Sequence, residues 1–74
     1  MEIEVLTTTG CHLCEQAETM IRRVAPDAGI RRLDVAEDDA LLETYGEHIP
    51  VLRYRGRELY WPFSLLDVQA LVSR

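Results

Sequence analysis

Apolar and polar positions alternate from Ile3 to Thr7, a stretch rich in β-branched side chains and broken at Gly10, so the chain is expected to open on a strand. The period then changes. Leu13, Ala17, Met20, Ile21 and Val24 recur at helical spacing, Glu15, Gln16, Glu18, Thr19, Arg22 and Arg23 fill the other face, and Pro26 and Gly29 close the segment. A second strand is expected from Ile30 to Val35, with Leu33 and Val35 on one face. Asp38 or Asp39 can cap a short helix carrying Ala40, Leu41 and Tyr45, and Gly46 suits its end. The segments 50–54 and 57–61 read as strands separated by Arg55-Gly56, the spacing of a hairpin. Ser64 followed by Asp67 approximates a capping box, with Phe63 stapled onto Val68 and a buried face of Leu65, Val68, Leu71 and Val72.

The resulting order is β-α-β-α-β-β-α. Two strands joined through a helix should be parallel by a right-handed crossover, and the closing hairpin should add antiparallel strands to the same sheet. The expectation is an α/β fold with a four-stranded mixed sheet flanked by three helices. No repeat, linker or low-complexity segment interrupts it.

Composition narrows the class. A chain of 74 residues is read as one domain, 1–74, with a thin core, since a domain of this size buries only about 60% of the surface its unfolded chain exposes. Apolar residues make up 47% and charged ones 28%, which is globular rather than disordered composition. The net charge of −5 repels phosphate and argues against nucleic acid as a partner. All 8 basic residues are Arg, which removes lysine-based mechanisms. Met1-Glu2-Ile3-Glu4 leads directly into the first strand with no room for a signal sequence, and no apolar run is long enough to span a bilayer. A cytoplasmic protein without membrane contact is expected, and there a disulfide would be transient, because the cytosol keeps thiols reduced.

That expectation bears on Thr9-Gly10-Cys11-His12-Leu13-Cys14-Glu15, which holds both cysteines at the strand-to-helix corner. Cys11 falls at the helix cap and Cys14 one turn in. Helical residues three apart are neighbours, close enough for a disulfide to open and close with little backbone movement. The positive helix end favours the thiolate of Cys11, making it the nucleophile, while Cys14 faces the sheet and resolves the mixed disulfide. His12 either assists Cys11 as a cation or points to water. Zinc usually takes four ligands, which two cysteines and the scattered His12 and His48 do not readily supply, so no metal site is assigned.

With the cysteine corner, the order of elements and Ile49-Pro50-Val51 in place, the whole chain resembles the glutaredoxin-like branch of the thioredoxin superfamily. The resemblance implies a thioredoxin-like fold in which Pro50 is cis and stands opposite the cysteines, with Ile49, Pro50 and Val51 in the substrate site and Ile49 offering its backbone to an extended substrate. Read from the residues alone, Pro50 could equally be a trans proline opening an edge strand. The implied activity is that of a small thiol-disulfide oxidoreductase acting on a protein or low-molecular-weight disulfide. No cofactor is expected beyond the Cys11-Cys14 pair itself. The implied electron donor is an external thiol such as glutathione, or thioredoxin reductase, and the protein is expected to act as a monomer.

Several positions depart from the family pattern. A basic residue usual three places before the first cysteine is Thr8 here, and the usual Gly-Gly-Asp near the last strand is replaced by Tyr60-Trp61-Pro62-Phe63-Ser64. Tyr60 and Trp61 should obstruct glutathione, although the helix start at Ser64 could still hold a carboxylate. The position of the buried acid of thioredoxins, six before the first cysteine, is Val5. Arg53, Arg55 and Arg57 cluster in sequence about the hairpin and read chiefly as guards against edge pairing. Two rival readings use the same thiolates: a metal-trafficking protein and a non-catalytic interaction module. Copper chaperones share a CxxC motif after the first strand, but they end on a strand and usually carry Met where this chain has Thr9.

Overall fold

The computed structural model describes residues 1–73. Strand β1 (Glu2–Thr7) leads to helix α1 (His12–Val24), strand β2 (Gly29–Asp34), a 3-10 turn (Val35–Glu37) and helix α2 (Asp39–Tyr45), followed by the hairpin β3 (Val51–Tyr54) and β4 (Arg57–Tyr60) and helix α3 (Leu65–Val72). The sheet order is β2-β1-β3-β4, with β1 and β2 parallel and the remaining pairs antiparallel. The predicted β-α-β-α-β-β-α architecture with its four-stranded mixed sheet is therefore the observed one.

Residues directly opposite in a sheet share a face. Ile3 and Val5 of β1 and Leu52 and Tyr54 of β3 pack with Ala17 and Ile21 of α1 and Val68 and Leu71 of α3 in the larger core cluster. Leu6 and Val51, a register pair, point the other way and join Val35, with Leu41, Tyr45 and Ile49 packed around them. Ile3, Val5, Leu6, Ile21 and Leu52 are fully buried, and each such side chain contributes about 1.5–3 kcal/mol.

Caps set the helix boundaries. Asp38 is the cap of α2, its carboxylate accepting from the amides of Ala40 and Leu41 at 2.9 and 3.1 Å. At α3 the capping box is complete: Ser64 Oγ accepts from Asp67 N at 3.2 Å and Asp67 accepts from Ser64 N at 2.8 Å. Gly46 ends α2 in right-handed geometry, and a Cβ there would stand 2.5 Å from the Leu42 carbonyl oxygen, so close approach rather than a left-handed turn calls for glycine.

Several sequence expectations are corrected. Val35 lies in the 3-10 turn, because Asp34 turns its carboxylate onto the Ala36 amide and ends the strand. Pro50 and Trp61 flank their strands, with Trp61 N donating to Pro50 O at 3.2 Å. Leu13 and Leu65 are exposed rather than buried: each sits in the first turn of its helix, and packing is taken up by Cys14, Ala17 and Ile21 in α1 and by Val68 and Leu71 in α3. Arg53, Arg55 and Arg57 do line one hollow at the hairpin, together with Glu2, Glu4 and Glu58, but each is held by a partner of its own. Arg53 pairs with Glu4 at 2.9 Å and lies over the Tyr45 ring, Arg55 lies over the Tyr54 ring, and Arg57 donates to the Ala70 and Ser73 carbonyls at the end of α3.

Candidate functional site: the cysteine corner

The site begins where β1 ends. Gly10 takes φ +79° and turns the chain, and Cys11 follows in extended geometry as the N-cap of α1. A capping residue normally offers an oxygen to an orphan amide of the first turn; here Sγ of Cys11 accepts from the Cys14 amide at 3.1 Å. Cys11 O accepts from Glu15 N at 3.3 Å. The helix carries Glu15 in its first turn and Arg22 and Arg23 in its last, matching its dipole at both ends.

The two sulfurs are joined as a disulfide, with Cα atoms 5.2 Å apart. Their surroundings differ. Cys14 is only 3% exposed, whereas Cys11 is half-buried and reachable from solvent. Between them His12 points outward, and Leu13 is 42% exposed beside the pair.

Pro50 is fully buried, and the Ile49-Pro50 bond is cis. Since Leu6 pairs with Val51, the segment Ile49-Pro50-Val51 reaches the sheet at the same end at which β1 gives way to the cysteine loop. Ile49 and Val51 pack in the smaller core cluster, Val51 is paired with Leu6 on one side and Tyr60 on the other, and Pro50 O accepts from Trp61 N. A second cis bond, Trp61-Pro62, was not anticipated from sequence. Trp61 itself is half-buried and edge-on to Phe63, with ring centroids 4.9 Å apart. His48 packs edge-on to Tyr60 at 5.2 Å, and among the described residues no three His, Cys, Asp or Glu side chains gather where one ion could be held.

On the other side of the cysteines, toward β2, a groove of about 490 Å³ opens beside both sulfurs. Thr8 lines it, and its charged residues are Glu15, Glu18, Arg32, Asp34 and Glu37; His12, Ile49, Pro50 and Val51 do not reach it. Arg32 is held by Glu18 through two bonds of 2.7 and 2.6 Å. The hydrogen bond and then the charge of Glu18 raise the Arg32 pKa further. Sequence reading missed this wall. Only the parallel register, which sets Thr7 beside Asp34, could have brought the end of β2 to the cysteines.

The whole described chain, not merely the motif, has relatives. A family model described as Glutaredoxin-like domain (DUF836) matches residues 2–73. The chain belongs to this glutaredoxin-like family. A structural-genomics target protein of X. campestris, XcR50, is 35% identical, with a TM-score of 0.81; the match to its X-ray structure covers 92% of this chain and 91% of that one. The solution structure of the same protein agrees, at TM-score 0.81 over 95% of this chain and 90% of that one. A structure described as that of a malarial protein shares the fold alone, at 11% identity and TM-score 0.58, over 96% of this chain and 91% of that one. No curated protein matches. Family membership joins the fold and the CxxC disulfide into an arrangement like that of thiol oxidoreductases. Among the described residues, no helix is long and apolar enough to cross a membrane.

Proposed function

We propose that the protein is a dithiol-disulfide oxidoreductase that reduces a protein or small-molecule disulfide. In the reduced state the Cys11 thiolate attacks one sulfur of the substrate, forming a mixed disulfide and releasing the other substrate sulfur as a thiolate that takes a proton from solvent. Cys14, deprotonated, then attacks Sγ of Cys11; the Cys11-Cys14 bond forms and the second substrate thiol leaves. Two electrons have moved from the dithiol to the substrate. An external donor, glutathione or thioredoxin reductase acting in a reducing compartment such as the cytoplasm, returns them. Pro50 and Val51 border the cysteine end, Ile49 before them supplies backbone for an extended substrate, and His12 flanks the entering sulfur.

The observation that carries this reading is the asymmetry at the start of α1. The accessible Sγ is the one that accepts the Cys14 amide, and the other sulfur is withdrawn. Carboxylates on the groove wall oppose a thiolate. A hydrogen bond to a charged group contributes about 1.5–3 kcal/mol, whereas a unit charge acting through water contributes only about 1 kcal/mol even at about 4 Å. The local amide therefore outweighs any one of them.

Alkylation of the reduced protein followed against pH is the direct test. Cys11 should be modified first, with a midpoint below the value of about 8.5 for a free thiol, and Cys14→Ser should trap a mixed disulfide through Cys11. A midpoint at or above the free-thiol value, or no trapped species, rejects the assignment.

A further inference from the structure

We infer that the acidic groove beside Cys11 and Cys14 makes the site selective for disulfides flanked by positive charge, such as a basic peptide segment, over the anionic disulfide of glutathione. The inference rests on the oxidoreductase reading and goes on to name its substrate class. Sulfur chemistry fixes where the substrate must sit, against Sγ of Cys11, and Cys11 is one of the residues that line the groove. Its wall decides the charge of what sits there. Four carboxylates, Glu15, Glu18, Asp34 and Glu37, face a single guanidinium, Arg32, and Glu18 already binds Arg32 through both of its oxygens. Glu15, Asp34 and Glu37 face no further cation of the groove, Asp34 keeping one oxygen on the Ala36 amide, and the chain's net charge is −5. Thr8, which lines the groove at the position where the family pattern usually has a base, is neutral.

The other place for an anion already carries a negative charge. Glutathione disulfide brings four carboxylates against two ammonium groups, and the helix start expected to receive a carboxylate holds the Asp67 carboxylate, which accepts from Ser64 N while Ser64 Oγ accepts from Asp67 N. Like charges across a groove raise the free energy of the encounter and of the mixed disulfide, and opposite charges lower both.

The test uses the pre-reduced full chain and three disulfides: two short cyclic peptides with the same Cys-Cys core flanked by Arg in one and by Glu in the other, and the uncharged hydroxyethyl disulfide. The Arg peptide should be reduced faster than the Glu peptide by roughly tenfold at low ionic strength, and the ratio should fall toward one in high salt. In Glu15→Gln/Glu37→Gln the same ratio should shrink. Taking a ratio cancels any change in the intrinsic reactivity of Cys11. Equal rates, a preference for the Glu peptide, or a ratio unmoved by salt and by the double substitution would overturn the inference while leaving the oxidoreductase intact, provided that hydroxyethyl disulfide is reduced. If none of the three is reduced, the oxidoreductase reading itself fails, and the selectivity with it.

Discussion

At the scale of single residues, the hairpin shows one local rule met and another strained. Arg55 and Gly56 both take positive φ, +51° and +77°, the pattern of a two-residue turn whose twist matches its strands. Glycine adopts this freely, whereas an L side chain outside the Asn and Asp class costs about 1–2 kcal/mol. The guanidinium of Arg55 over the Tyr54 ring returns about 0.5–1 kcal/mol at an exposed site. Strain should win narrowly, so Arg55→Asn is expected to raise stability by about 0.5 kcal/mol, read as a higher urea midpoint at unchanged slope; a lower midpoint would mean that the stacking dominates. Tyr60 gives a prediction in pH. Burial, and after it the hydrogen bond and charge of Glu58, raise its pKa above the usual 10.0. The folded state then holds the phenolic proton more tightly than the unfolded chain does, so this stability is complete below pH 10 and drains away as pH rises through 10 toward the folded value. Tyr60→Phe should flatten that alkaline decline in urea midpoints measured from about pH 9 to about pH 11, and a decline of unchanged steepness would remove Tyr60 as its source.

At the scale of elements, α1 depends on a sulfur where most helices use an oxygen. With the disulfide removed, the cap can be tested on its own by comparing Cys11→Ser/Cys14→Ser with Cys11→Ala/Cys14→Ser. Serine keeps an acceptor for the amide of residue 14 and alanine does not, so the alanine form should be less stable by about 1 kcal/mol; equal chemical-denaturation midpoints would show that the first turn needs no cap. The elements were the legible part of the sequence because their signals are local. Periodicity gave every helix and strand in order, Ser64 with Asp67 gave the capping box, and Arg55-Gly56 gave the hairpin. Leu13 and Leu65 were misread because a periodic stripe does not reveal that a first turn lies beyond its packing partners. At the site, Cys11 and Cys14 were visible from their spacing, whereas the placing of Pro50 across from them came only with the resemblance to the glutaredoxin-like family. The acidic wall was not visible. Glu15 and Glu18 on α1, Asp34 at the end of β2 and Glu37 in the turn beyond it come together only through the parallel register, and each alone looks like an ordinary surface charge.

Across the whole molecule, the proposed function has the Cys11-Cys14 bond break and reform in each turnover, so that bond cannot also be what holds the fold. The Cys11-Cys14 link spans a sequence separation of 3, a loop so short that its closure restricts the unfolded chain by no more than about 2 kcal/mol. A domain of 74 residues has a total stability of about 4–11 kcal/mol at the usual value per residue. That stability rests on two clusters, one built on Ile3, Val5, Ile21, Leu52 and Val68 and the other on Leu6, Val35 and Val51, and neither contains a cysteine. Reduction should therefore lower the urea midpoint while leaving the far-UV circular dichroism at zero urea unchanged. Leu52→Ala, which empties the centre of the larger cluster, should cost about 2–5 kcal/mol, more than reduction does. A reduced chain that is unfolded without denaturant, or that loses more stability than Leu52→Ala, would make the disulfide a structural staple. In that case Cys11 could not serve as a nucleophile, because the state that carries its free thiolate would not hold the helix end that activates it.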